Sequence, residues 1–333
     1  MKDFKFYYGG GKTTEILLKE YSLTSIGKKV IIIDGNNQDN LKSNMDFNTI
    51  DGKIKVNVRN EMIKDLYKQS RFIDKVFVDN ADSLSLNNIE DLYILSKIYD
   101  IPVDLYGKRE NNGIRCMELA DSIFKLNDFP FLRRGNELAY YYGTMNSGKT
   151  VKLIGNFEYL NKDYNTCLMK PRSDREEEYI LSRLGLKKKV DYIIDPDTKL
   201  LSIVDKLKDN NINFIFIDEI QFLTENQIKS LRKIVDDYRI PVLGYGLKTD
   251  FKRNGFPGSK ELLKLADNIV KIDGQCACCG NESEFNARKN LDTGEYINDG
   301  EQVLIDGVNC GYDALCPECY MKYVLKKDKV LVR

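Results

Sequence analysis

Two stretches of this chain, YYGGGKT at residues 7–13 and YYGTMNSGKT at 141–150, place a glycine turn and a Gly-Lys-Thr triplet after an apolar run and before a helical pattern. Strand, glycine loop, helix is a narrow prescription. It puts a helix N-terminus at the end of a buried strand, where backbone N–H groups gather around an anion. The similarity extends well beyond the loops. Tyr7 and Tyr141 are 134 residues apart, Gly11 and Gly148 137, Asp79 and Asp218 139, Ile101 and Ile240 139, and Ala120 and Ala266 146. Chance matches would scatter, whereas an offset that only grows is what two copies give when the first has lost loop residues at separate places.

Between these landmarks VIIID (30–34), KVFVD (75–79), NFIFID (213–218) and IPVLGYG (240–246) are near-continuous apolar runs, separated by helical patterns such as Val151, Ile154, Phe157 and Leu160. Such runs predict parallel strands buried on both faces. The expected fold class is α/β: two tandem P-loop (RecA-like) parallel-sheet domains over 1–130 and 131–274. Glycine, cysteine and short polar stretches then take over, so residues 275–333 read as a third, small zinc-binding module.

Balanced charge, 51 basic against 51 acidic residues, argues against nucleic acid or an anionic membrane as partner. MKDFKFYYGG lacks the apolar core of a signal peptide and no run of 18 apolar residues occurs, which points to the cytoplasm. Thiols stay reduced there, so the eight cysteines suggest metal ligation before disulfides. Histidine is absent, leaving the chemistry to carboxylates, lysine, arginine and thiolates.

The second loop fits GxxxxGKT. Gly143, Asn146, Ser147 and Gly148 would turn their N–H groups on the phosphates of ATP, Lys149 would reach the β- and γ-phosphates, and Thr150 would give its hydroxyl to Mg²⁺. NFIFIDEIQFL supplies a strand-end Asp218 for the same Mg²⁺, with Glu219 beside it as candidate general base.

Taken together, GTMNSGKT, DREEEYILSRLG, IDEIQF, GLKTDFKRNGFPGS and the paired cysteines resemble the cytosolic thymidine kinase family, the zinc-containing type, over residues 138 to about 325. The resemblance implies that Glu219 takes the proton from the deoxyribose 5′-hydroxyl and that Arg175 lies near the reacting phosphates. It implies Phe222 on the thymine ring, Met145 near its methyl group, and Leu247, Phe251 and Phe256 in the pocket wall; read alone, these aromatics would be ordinary core. It implies thymidine as substrate, with deoxyuridine as a second acceptor and thymidine triphosphate (dTTP) as feedback inhibitor.

Cys276 and Cys279 form one CxxC and Cys316 and Cys319 another, a set able to close a structural Zn²⁺ site, with a Cys276/Cys278 pair as the alternative. Cys116, Cys167 and Cys310 read as small buried or loop residues. In the family such pairs anchor a lasso over the nucleoside, which here would span about Asn290 to Tyr312 and present Ile305 and Tyr312. Asp306-Gly307 stands where the family has two glycines, and one extra residue precedes Tyr312.

The first copy keeps Gly9, Gly11, Lys12 and Thr13 but has one residue between the outer glycines where the second loop has four, and Asp79-Asn80 replaces Asp218-Glu219. It reads as a pseudo-kinase domain, structural or regulatory. The family assembles as tetramers, so two such chains are expected to form a homodimer imitating four subunits. A second reading, a P-loop ATPase whose zinc ribbon binds nucleic acid, lacks the basic, aromatic-interleaved surface it needs.

Overall fold

The computed structural model describes residues 3–9, 12–24, 27–42, 53–56, 58–126, 136–172, 178–182, 186–302 and 309–326. The chain divides into two compact units, Met1–Asp128 and Phe129–Arg333.

In the first unit β1 (Phe4–Gly9) leads into α1 (Lys12–Thr24), followed by β2 (Val30–Asp34), β3 (Lys75–Asp79), α2 (Leu86–Ile98), β4 (Val103–Tyr106), α3 (Gly113–Leu119) and β5 (Ser122–Leu126). The five strands run parallel in the order β2-β3-β4-β1-β5. All of β2 and all but the first residue of β3 are buried, which is why these runs lack the alternation of a half-exposed strand. A 3-10 helix at Asn60–Phe72 occupies part of the long β2-β3 connection.

The second unit repeats the sequence of elements with β6 (Leu138–Tyr142), α4 (Lys149–Leu160), β7 (Thr166–Pro171), β8 (Tyr192–Ile194), β9 (Phe214–Ile217), α5 (Glu225–Tyr238), β10 (Val242–Gly246), α6 (Pro257–Leu265) and β11 (Asn268–Lys271). Its parallel sheet has the order β8-β7-β9-β10-β6-β11, the first unit's order with one added edge strand. Helix α5 starts at a capping box: the Thr224 hydroxyl accepts from Gln227 N at 3.2 Å and the Gln227 side chain accepts from Thr224 N at 3.0 Å. Such a cap contributes about 1 kcal/mol. From that start, Ile228, Leu231, Ile234 and Val235 pack on Ile215, Ile217 and Val242 of the sheet.

Packed in the same unit, β12 (Phe285–Asn290), β13 (Tyr296–Ile297) and β14 (Cys310–Leu315) form an antiparallel sheet closed by α7 (Pro317–Tyr323). The core here is small: Cys276, Ala287, Leu315, Cys316, Tyr320 and Val324. No described helix is long and apolar enough to cross a membrane.

Candidate active site

In a parallel sheet the strands' C-terminal ends share one edge, and ligands bind there. Here Gly143 follows β6, Asp218 and Glu219 follow β9, and Leu247 follows β10. The loop between β6 and α4 turns through two left-handed residues, Asn146 (φ 66°) and Gly148 (φ 82°). Gly148 is the residue that introduces α4, and a side chain would resist its φ. Lys149 is buried and donates from Nζ to Thr144 O at 2.7 Å, an internal bond that folds its chain back over the loop.

The loop rests on the cysteine module. Met145 N donates to Asn286 Oδ1 at 2.7 Å, Asn286 Nδ2 donates to Thr249 O at 2.8 Å, and the Thr144 and Ser283 hydroxyls lie 2.7 Å apart. Neither Ser283 nor Asn286 announces itself in the sequence, because each acts across more than 130 residues. Inside the loop the Ser147 hydroxyl is buried without a hydrogen-bond partner. The N–H groups of Gly143 and Ser147, expected to face the phosphates, are donated to Gly246 O and Thr144 O, both at 3.3 Å, so the orphaned Ser147 hydroxyl is the loop's donor that fits a phosphate oxygen.

Thr150 Oγ1 donates to Asp218 Oδ2 at 3.3 Å, joining helix start and strand end. Hydroxyl and carboxylate oxygens are the donor set of Mg²⁺. Burial first, and the neighbouring Glu219 charge second, push the Asp218 carboxyl up to about 7, against the Glu219 backbone N–H, Lys149 and Thr150. Below that pH a cation must displace a proton, so Mg²⁺ affinity in the presence of ATP should weaken about fivefold from pH 7 to 6 and stay nearly flat above 8. Calorimetry in buffers of different ionisation enthalpy should detect the released proton at pH 6, and Asp218→Asn should leave only the pH dependence that ATP itself shows with Mg²⁺.

Glu219 holds a left-handed backbone (φ 50°), and its Oε2 accepts from Gln221 Nε2 at 2.6 Å. Phe222 is 47% exposed and meets Phe256 edge to face at 5.6 Å. Leu247 presents its carbonyl to the Tyr140 hydroxyl at 2.8 Å and the Ser259 hydroxyl at 2.6 Å. Phe251 is buried, with the Arg288 guanidinium 3.7 Å from its ring centroid. Arg288 also donates to the Tyr312 hydroxyl at 3.1 Å and to Glu301 O at 2.7 Å, tying strand β14 to the chain leaving β13. Arg175 and Ile305 lie outside the described residues.

The sulfurs of Cys276, Cys279, Cys316 and Cys319 all lie within 4.8 Å of one another, and Cys278 is exposed outside the group, 3.7 Å from the Tyr296 hydroxyl. This selects the two CxxC pairs over the Cys276/Cys278 alternative. The Cys279–Cys316 separation of 3.6 Å is close to the edge, about 3.8 Å, of a tetrahedron with Zn–S bonds of ~2.3 Å. Burial would raise the Cys276 thiol, yet backbone N–H groups of Cys316, Cys279 and Cys278 bring it down to about 7. The four thiols therefore fit a zinc ion in a closed shell.

A family model described as thymidine kinase matches residues 136–320, and so begins after the first unit. A thymidine kinase of Listeria innocua is 37% identical over 194 residues, covering 57% of this chain and 99% of that one. One from Coxiella burnetii is 38% identical over 185 residues (54% and 92%), and one from Rhodopirellula baltica 36% over 183 residues (54% and 85%). The crystal structure of Pif1 helicase from Candida albicans overlaps 43% of this chain and 37% of that one at 14% identity and a TM-score of 0.27, too loosely to inform fold or function.

Proposed function

The chain belongs to the thymidine kinase family, and from that premise we propose that its second unit transfers the γ-phosphoryl group of ATP to the 5′-hydroxyl of thymidine, giving thymidine 5′-monophosphate and ADP. The observation that carries the reading is the meeting of Thr150 and Asp218 at 3.3 Å, with Glu219 next in the chain. Gly143 to Gly148 hold the phosphates, Lys149 and Arg175 balance the charge of the group in flight, and Thr150 and Asp218 hold Mg²⁺. When bound, that ion neutralises the phosphate oxygens. Glu219 accepts the hydroxyl proton as the sugar oxygen bonds to phosphorus and the bond to ADP breaks. Met145, Phe222, Leu247, Phe256, Ile305 and Tyr312 enclose the base, Phe251 backs them, and dTTP competes for the same site. Thiols reserved for a structural zinc suit a reducing compartment, the cytoplasm. The test is to incubate the protein with ATP, Mg²⁺ and each nucleoside: thymidine monophosphate is expected, and ATP turnover that requires DNA would overturn the reading.

The first unit is a degenerate duplicate on this proposal. Support comes from its strand order, which the second sheet repeats with one added edge strand, from Thr13 Oγ1 donating to Asp79 Oδ2 at 2.5 Å, the counterpart of the Thr150–Asp218 bond, and from Lys12 Nζ donating to Gly9 O at 3.0 Å. Asn80 in place of Glu219 removes the proton acceptor. Lys149→Ala should therefore lower kcat/KM for ATP at least about 10²-fold, whereas Lys12→Ala should stay within about twofold. A role in assembly draws support from α2, where Leu86 (54%), Ile94 (42%) and Ile98 (72%) are exposed at positions matching Glu225, Lys233 and Asp237 of α5. Apolar residues at such places suit burial against another subunit. Sedimentation at the mass of two chains is the expected result, and a monomer at all concentrations would refute it.

A further inference from the structure

Gln221 sits between the candidate base and Phe222, and only 1% of it is exposed. Its Oε1 accepts the Leu247 backbone N–H at 3.0 Å, and its Nε2 donates to Glu219 Oε2 at 2.6 Å. The sense of both bonds is fixed. A backbone N–H can only donate, so the amide oxygen must face Leu247 and the NH₂ must face the carboxylate. Gly246 makes room, because a Cβ there would stand 2.2 Å from Gln221 Oε1.

The first unit supplies the contrast. Its equivalent turn has Asn80, also left-handed at φ 49°, where the second has Glu219, and Asp82 where the second has Gln221. Asp82 is buried and its Oδ1 accepts the Lys108 backbone N–H at 2.8 Å, so the accepting half of the glutamine's work survives. The donating half does not, since aspartate has no NH₂ group to offer. Accepting goes with the fold, and donating goes with the presence of Glu219.

We propose that Gln221 is a positioning residue for phosphoryl transfer, tying the Glu219 carboxylate to the backbone of the pocket wall at Leu247. The assignment rests on the reading of Glu219 as base. With Oε2 held by the amide, Oε1 is the oxygen that receives the hydroxyl proton. A rotating carboxylate would sacrifice the alignment on which such a transfer depends.

The test uses the full chain. Gln221→Glu keeps the acceptor for Leu247 and removes the donor to Glu219. Its kcat should fall about 10²-fold while KM for thymidine stays within about threefold. In the double variant Glu219→Gln/Gln221→Glu the amide at 219 can donate to the carboxylate at 221, so the melting temperature should recover and the activity should not. Its residual rate should equal that of Glu219→Gln alone, because a residue acting only through the base has nothing left to act on. Unchanged kcat in Gln221→Glu beside an inactive Glu219→Gln would overturn this proposal and leave the base in place. An active Glu219→Gln would remove the base, and this proposal with it. A further loss in the double variant would assign Gln221 a purely structural role. Should Gln221→Glu fail to fold, Gln221→Met takes its place: a kcat lowered about 10²-fold is expected, and one within about twofold of the parent protein would refute positioning.

Discussion

Glu219→Gln should bind ATP normally and turn over about 10²–10⁴-fold more slowly. The substitution preserves size and can still accept the Gln221 amide proton, so what disappears is the capacity to take up a proton. ATP affinity should hold because its proposed contacts, Gly143 to Thr150, are separate from that side chain. Glu219→Asn should be as slow and, when compared in a Gln221→Met background where no buried amide loses its partner, more stable. The backbone at 219 is left-handed, which costs a residue other than glycine or asparagine about 1–2 kcal/mol. The first unit carries asparagine in the same conformation at position 80. Relief of about 1 kcal/mol would raise the melting temperature by roughly 2–4 °C in a unit of this size. Single-turnover transfer and calorimetry measure the two effects, and undiminished transfer in Glu219→Gln would remove the residue from its role.

Stripping the metal that fits the four thiols with a strong chelator should weaken ATP binding as well as unfold the cysteine module. The module's buried apolar set is six residues, two of them ligand cysteines, too few to hold its own fold. Zinc bound by four thiolates contributes about 10–16 kcal/mol to folding in comparable small domains. The effect reaches the phosphate loop because Asn286 and Ser283 lose their places, and the Met145 N–H and Thr144 hydroxyl lose their partners with them. Nucleotide affinity measured by fluorescence should drop more than about tenfold, and return with Zn²⁺ but not with Mg²⁺. Affinity that survives chelation would show the loop standing without the module.

Sequence made some of this visible and hid the rest for physical reasons. The buried strands β2, β3, β9 and β10 declare themselves because parallel strands covered on both faces need apolar residues at every position. The glycine loop before α4 and the place of Asp218 at a strand end are legible because local backbone geometry restricts which residues serve there. Asn286 and Ser283 are not, since a single hydrogen bond across the chain leaves no periodic trace. Gln221 lay in plain view within IDEIQF, yet only burial and the two bonds at its amide distinguish it from a solvated turn residue. The long 3-10 helix at Asn60–Phe72 has no strong signature either, because packing rather than propensity sustains a run of that length.

The reliance of Met145 on Asn286 orders events during synthesis. A ribosome that has released residues up to Gly274 has already extruded every strand of both parallel sheets, but Cys316 and Cys319 have still to emerge. Until they do, the cysteine module cannot close, and the Met145 N–H and Thr144 hydroxyl wait for Asn286 and Ser283, so the loop between β6 and α4 is the last part of the second unit to be completed.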